Sequence, residues 1–523
     1  MGWSSDFLDA LQDRTHIPRF YLEVSKEPGS PGASGVTIYS HQSTQDSDPD
    51  YAIDRSSVRV SSGVVSTLTW SRSFGGMSIG IHGGSDAATN VLQSVVKGCL
   101  VRLFVGFQGW DYGDFEPVFT GQVTGLRGTP TRGYTLTCWD IVRALGSRWT
   151  TTAGNAALFF NLRELAATTV KTGTPYSIGA TTLDVTDASA FEREDAGNYI
   201  VQVRGDAGSD FYVRATGLTG AQLTGCTAGH YGTTDDDAAA GNAVTHMALL
   251  QDHPIDIVKK LLLSTGTAGA AHATFDKYPA GWSWAVPLDW VDLADIDDVA
   301  SRYQVNTTWD LDVVVTEAQT DPYSWLASVL GPCGVWLVQR QGAISLRYAQ
   351  NPFLTSPGTI PPDFSITDME IEQVLDWQAW DGSRQVEYQS LVVKDGNVSP
   401  YSLTSSEAIT TLPSDKTYTV TLNHLWETSG ANNQTGVADV DRRTEVSAHR
   451  VPERVSLVLI GLAFAGLCEG DIGRLTTAMI PSRDPEGTQS RTCVVLSCEP
   501  DWLNGTVRVD LEMSPEWATE FKT

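Results

Sequence analysis

The chain has 523 residues, 41% of them hydrophobic and 19% charged, a make-up that fits folded globular protein and a length that exceeds one ordinary core. With 62 Asp and Glu against 35 Lys and Arg, the net charge of −27 argues against a protein that grips phosphate backbone, because that work needs basic patches. Seven scattered cysteines, an odd number, argue against a disulfide scaffold and suit a reducing cytoplasm.

The 48 glycines and the many Thr, Val and Tyr residues favour strands joined by turns, so the chain is expected to be mainly β. Its first residues carry no basic segment followed by an apolar run, and no signal peptide is expected. The most apolar stretch, Val455 to Leu467, is too short to cross a bilayer as a helix.

Residues 3–13 predict a short helix with a serine cap and Phe7, Leu8 and Leu11 on one face, ended by Pro18. A strand follows at Phe20 to Val24. Further short strands are expected at Val58 to Val60, Leu68 to Trp70, Cys99 to Phe107, Val118 to Val123 and Tyr134 to Trp139, with Gly, Asp and Pro between them. Residues 141–170 turn helical around Val142, Leu145, Leu162, Leu165 and Ala166. Between 176 and 246 a turn every eight to twelve residues predicts a small β module, with 235–241 as an exposed loop tip.

Pro254 to Leu263 is an amphipathic helix with proline in its first turn. Two more helices are expected at 293–303 and 322–331. The second leads into a hairpin, Val335 to Val338 and Ala343 to Leu346, turning at Gln341-Gly342. Strands follow at 385–394 and 416–422, and 426–440 reads as a polar loop rich in Asn and Gly. The chain then returns to β, with strands at Val455 to Ala463, Gly473 to Met479, Thr492 to Ser497 and Thr506 to Met513. Asn504-Gly505 is read as a hairpin turn because both residues tolerate positive φ.

The first and last β regions echo one another. Gly98 precedes Val101-Arg102-Leu103 and Gly470 precedes Gly473-Arg474-Leu475, and Val123 and Val495 stand equally far beyond the two glycines. Each region reads strand, turn-rich loop, strand, hairpin turn, strand. This is the trace that one β domain used twice would leave.

No sequence motif for catalysis stands up: HExxH, Walker A and CxxC pairs are missing, and no catalytic residue, cofactor site or metal site is assigned. His230 and His246 flank a loop without a completing ligand set. Cys468, Cys493 and Cys498 could approach one another across strands, but buried inert thiols are the plainer expectation. Asp292, Asp295, Asp297 and Asp298 resemble a loose calcium site without the glycine and terminal glutamate of an EF-hand, so a solvated, helix-capping face is expected. Among the 16 tryptophans, Trp110, Trp139, Trp282, Trp284, Trp290 and Trp502 could line a sugar-binding face, although aromatics at strand positions more often fill cores.

Several segments, taken in order, resemble phage tail proteins of the tail hub or baseplate hub (tail-tip) family. Phe7 to Leu11 with Pro18 to Val24 resembles an opening helix and first strand. Phe119 to Val123 followed by Tyr134 to Asp140 resembles strands of the hub β domain. Thr181 to Val185, Thr224 to Cys226 and Gly232 to Thr234 are similar to a small module of virion tail proteins, and His253 to Val258 to the helix after it. Gly470-Asp471, Val494-Val495 and Gly505 to Val509 resemble the closing β domain. Residues 351–440 carry no resemblance, and the acidic loop at 41–56 is not part of the family pattern.

The resemblance implies a mainly β, multidomain chain with α+β insertions. Its expected parts are a tube-like β hub domain over 1–150, a helical connector over 151–175, a small inserted β module over 176–246 and an α+β domain over 251–350. A strand-and-loop connector over 351–445 and a second tube-like β domain over 446–523 complete it. It further implies a non-enzymatic virion protein, assembled in the bacterial host cytoplasm as a homotrimer. Its partners would be tail tube and distal tail proteins and central tip or fibre proteins. Phage DNA would pass through an acidic lumen without specific binding, and host-surface contact stays open. The rival readings are a peripheral tail protein that binds host-surface glycan through the tryptophans and the 176–246 module, and a tail-associated cell-wall hydrolase or glycosidase.

Overall fold

The computed structural model describes residues 3–513 apart from 14–15, 26–35, 40–52, 67–70, 83–96, 130, 147–166, 192–197, 265–282, 285, 303–304, 316–320, 350–362, 379–389, 396–401, 407–416, 426–429, 450–452 and 482–489. Helix α1 (Ser5–Gln12) leads into seven strands: β1 (Pro18–Ser25), β2 (Val36–Tyr39), β3 (Ile53–Ser61), β4 (Gly76–Ile81), β5 (Leu100–Phe107), β6 (Glu116–Thr129) and β7 (Gly133–Asp140). They form one antiparallel sheet in the order β2-β1-β5-β6-β7-β4-β3. Alternation decides which face is buried: in β4, Met77, Ile79 and Ile81 are inside while the residues between them are half-exposed. Helix α1 starts where the Ser4 hydroxyl accepts the Phe7 N–H at 3.3 Å, and it buries Phe7, Ala10 and Leu11. Leu8, expected on that face, is 40% exposed.

The second large sheet comes from the far end of the chain: β8 (Phe364–Thr367), β9 (Ile371–Gln378), β10 (Glu453–Ile460), β11 (Ile472–Thr476), β12 (Ser490–Asp501) and β13 (Thr506–Met513). Its order is β8-β11-β12-β13-β10-β9, antiparallel except for the β8/β11 pair. Among the described residues neither sheet closes on itself. The fold is mainly β, with two curled sheets accompanied by smaller sheets and short helices.

The echo in the sequence has a counterpart in hydrogen bonds. Strands β3 to β7 and β9 to β13 occupy their sheets in the same order, β5-β6-β7-β4-β3 and β11-β12-β13-β10-β9. The Gly98 N–H donates to Val123 O at 2.9 Å and the Val123 N–H to Cys99 O at 2.8 Å; Gly470 and Val495 repeat this with Val495 O and Asp471 O at 2.8 and 2.9 Å. Both glycines have φ +95°, which favours a residue without Cβ. A bulge follows each valine, between Val123 and Gly125 in β6 and between Val495 and Ser497 in β12. The same strand order, glycine geometry and bulge position identify one five-stranded unit used twice.

The two units share one apolar core, in which Phe20, Leu22, Leu103, Phe119 and Leu136 are contiguous with Val455, Leu457, Val495, Val509 and Leu511. Phe7 and Leu11 of α1 belong to it as well. At the end of β7 the Asp140 carboxylate caps the single-turn helix α2 (Ile141–Ala144), accepting the Arg143 N–H at 2.8 Å. Of the helical reading over 141–170, only this turn is seen: 147–166 lie outside the described residues and Ala167–Thr169 is a strand.

Between the units lie two further bodies. A five-stranded set runs Ala167–Thr169, Ala243–Asp252, Tyr199–Arg204, Asp210–Ala215, Thr227–His230, beside a small three-stranded sheet, around its own core of Val170, Leu183, Val201, Phe211 and Val213. Its loop at 235–241 is pinned rather than free. Asp235 and Asp237 carboxylates accept the N–H groups of Gly179 and Ile178 at 2.8 and 2.9 Å, and Ala238 is fully buried. The long strand Ala243–Asp252 continues past this body to pair with Leu311–Val315. There, helices α3 (Pro254–Leu263), α4 (Leu293–Arg302) and α5 (Pro322–Leu330) pack with the hairpin Val335–Arg340/Ala343–Tyr348.

The predicted polar loop at 426–440 is overturned: Gly430–His449 is a helix, α6. Its Asn and Gly residues are weak helix formers, but tertiary packing wins. Val437 and Val440 are buried, Gly436 lies against the Trp309 ring, and the Asn432 side chain bonds both the N–H and the carbonyl of Asp310. The last hairpin turns at Asn504-Gly505 as expected, but through a longer loop, Trp502–Gly505, in which Gly505 alone has positive φ and the Asp501 carboxylate accepts the Leu503 and Asn504 N–H groups. The Leu68 to Trp70 strand and most of the acidic loop at 41–56 lie outside the described residues.

Candidate functional site

The most heavily built polar region lies where the two units meet the central hairpin. Strand β3 ends against β12: the Ser62 N–H donates to Cys498 O at 3.0 Å, and the Cys498 N–H to the Ser62 hydroxyl at 2.9 Å. Beyond Ser62, the small hairpin Val64–Ser66/Ser71–Ser73 crosses onto the second unit, where Val65 packs with Cys468, Leu496 and Trp336. Arg72 on this hairpin is buried and joins the units, its guanidinium meeting Asp140 of β7 at 2.6 Å and Glu469 just before β11.

A second arginine repeats the device. Arg347, on the central hairpin, meets Asp295 of α4 and Asp471 of the second unit, each at 2.7 Å, and donates to the Cys468 sulfur at 3.0 Å. Ser345 and Arg340 also bind Asp295. Breaking one partner of such a buried network leaves an uncompensated charge, a cost of about 3–5 kcal/mol. Burial drives the Glu469 carboxyl above its usual range despite the pull of Arg72. For Asp471 the burial cost is overcome by Arg347 and Arg340, and its carboxyl falls below the usual range.

The candidates from sequence separate in space. Asp292 caps α4 through the Asp295 N–H at 3.2 Å, yet both Asp292 and Asp295 are buried, unlike the solvated residues expected, and Asp295 is ion-paired. Asp297 and Asp298 are exposed partners of Lys259 and Arg302. The Cys468, Cys493 and Cys498 thiols are free and buried, and burial pushes all three up. Cys333 is pushed to about 12 for the same reason, and such thiols are poor nucleophiles. Among the described residues no group of three or more His, Cys, Asp or Glu side chains is placed to hold a metal ion.

His246 is buried against Phe191 and His230 bonds the Thr227 hydroxyl, each on its own strand. Trp284, Trp290 and Trp502 are buried and Trp110 packs half-buried on the shared core; Trp282 lies outside the described residues. Trp139 is 43% exposed beneath the Arg143 guanidinium. Among the described residues these tryptophans therefore form no common face. The residues that sequence reasoning missed are Arg72, Arg347, Glu469 and Asp471. Glu469 and Asp471 flank Gly470 at the echo itself, whereas nothing local marks Arg72 or Arg347.

No family model matches the chain, and no curated protein does. Solved structures similar to it include the tail protein from Neisseria meningitidis MC58, with 8% identity over 96% of this chain and 98% of that chain and a TM-score of 0.39. The prophage tail protein gp18 from Listeria monocytogenes EGD-e gives 8% identity over 96% of each chain and a TM-score of 0.37. A chain of the half-lidded PdpA-VgrG complex of Francisella gives 7% identity over 96% of this chain and 58% of that chain, with a TM-score of 0.36. Each likeness extends over nearly the whole length of this chain.

Proposed function

We propose that this chain is a non-enzymatic structural protein of a phage tail, the hub that joins a sixfold tail tube to a threefold tip. The observation that carries the reading is the five-stranded unit used twice and fused head to tail within one chain. A heterologous contact between like units is the kind that closes rings. A homotrimer of a two-unit chain presents six quasi-equivalent units to a hexameric tube and three whole chains to the tip. The buried arginine network at the junction suits a load-transmitting adaptor, because it fixes how the two units sit against each other.

In this reading the partners are tail tube and distal tail proteins on one side and central tip or fibre proteins on the other, in the assembled virion. The net charge of −27 supports an acidic lumen that lets DNA pass without adhesion. Negative-stain images of the purified protein are expected to show rings of three subunits, and immunogold labelling of intact virions to mark the tail end on its axis. Labelling confined to side fibres would sink the hub assignment, and sugar release from cell wall by the purified chain would replace it with an enzyme.

A further inference from the structure

The duplication makes one unit a template for reading the other. In the second unit, the surface under the β3 end and its hairpin is covered: Glu469, Leu496 and Cys498 are all nearly fully buried there. The same positions in the first unit follow from register. Lys97 precedes Gly98 as Glu469 precedes Gly470, Thr124 is the bulge residue as Leu496 is, and Leu126 pairs with Leu136 as Cys498 pairs with Val509. Among the described residues nothing comparable covers them: Lys97 and the neighbouring Arg127 are exposed while Thr124 and Leu126 are half-buried.

The complementary half is also open. Strand β9 is to the second unit what β3 is to the first, with Gln378 pairing with Arg454 where Ser61 pairs with Gly76. Its first residue Ile371 is buried as Ile53 is, and Trp377 packs half-buried on the core at the position of Val60. Yet along its edge Glu372, Gln373, Leu375, Asp376 and Gln378 are exposed.

We propose that a second copy of this chain lays the end of its β9 edge, at Asp376 and Gln378, on the first copy's β6 surface around Lys97, Leu126 and Arg127. This repeats between chains the contact that β3 makes with β12 within one. Charge supports the same occupant. In a strongly acidic chain the receiving surface carries Lys97, Arg127 and Arg132, which make no ion pair among the described residues, and the arriving edge carries Glu372 and Asp376. The inference rests on the reading of the chain as a ring component and names the surfaces that close the ring.

The full chain carrying Arg127→Cys and Gln378→Cys tests it, because the seven native cysteines are buried and free. Under oxidising conditions the double variant is expected to give covalent multimers that dithiothreitol dissolves, while each single variant stays a monomer on a non-reducing gel. In a parallel pair, Arg127→Glu weakens self-association several-fold by sedimentation at low salt, and adding Asp376→Arg restores it. A double-cysteine variant that sediments as an assembly but never cross-links overturns this interface and leaves the hub reading standing. So does a charge reversal without effect. A chain that stays monomeric at every concentration overturns both.

Discussion

At the scale of single residues, Arg72 and Arg347 stand out because each is buried against two carboxylates from different parts of the chain. Replacing Arg347 with Met is expected to cost about 3–5 kcal/mol of stability in urea unfolding, since Asp295 and Asp471 would be left with less compensation in a dry site. The pH dependence separates the carboxylates. Burial raises the folded-state pKa of Glu469, so its contribution to stability is lost as pH climbs from the ordinary carboxylate range through that raised value. Asp471 works the other way: its lowered folded pKa gives stability that is present above the ordinary value and lost as pH falls through the folded one. Glu469→Gln is therefore expected to flatten the decline as pH rises from the ordinary carboxylate range to the raised Glu469 value, and urea midpoints measured from pH 4 to 8 would show it. A decline as steep as in the parent chain would contradict the assignment. Little of this was legible in the sequence. Asp295 read as part of a solvated cluster because its neighbours Asp297 and Asp298 are solvated, and nothing local to α4 announces that Arg340 and Arg347 will arrive from a hairpin.

At the scale of elements, sequence reading succeeded where periodicity and punctuation agree and failed where distant packing decides. Helix α3 has its proline in the first turn and one apolar face, and β13 alternates between turn and end, so both were visible. Helix α6 was not, because Asn432, Asn433 and Gly436 suggest a loop until Trp309 and Asp310 are brought against them. Asn432→Ala is expected to destabilise the protein by about 1–3 kcal/mol, read as loss of helical circular dichroism at a lower temperature, because the Asp310 backbone groups lose their partner. The duplicated glycines give a paired test. Alanine at either must adopt φ near +95°, but a Cβ on Gly470 would sit 2.5 Å from the Trp336 ring, whereas on Gly98 the nearest atom is 3.8 Å away. Gly470→Ala should therefore lower the melting temperature clearly more than Gly98→Ala. Equal losses would mean that backbone strain alone sets the cost.

At the scale of the whole molecule, the two sheets are not separate bodies in tandem: their apolar side chains form a single core. The body around Val170 and Phe211 has a core of its own. Hydrogen exchange is accordingly expected to place β5, β6, β12 and β13 in one cooperative unit, with the strands Tyr199–Arg204 and Asp210–Ala215 opening independently at lower cost. Exchange rates showing the two large sheets opening at different free energies would contradict the shared core. The echo at Gly98 and Gly470 pointed to the repeat from sequence, but that the two copies would merge their interiors was not legible in it.

The shared core also sets a timetable. Phe7, Phe20 and Leu103 are made first, whereas Val495, Val509 and Leu511, with which they form one interior, follow only after both inserted bodies. Until those strands arrive, the first sheet holds an apolar face with nothing over it, and more than two hundred residues of inserted chain must fold in the interval. Contacts this distant in sequence make for slow closure, during which the incomplete interior is exposed to aggregation. They also make β13 a checkpoint: without it, the interior that Phe7, Phe20 and Leu103 help to form stays unfinished.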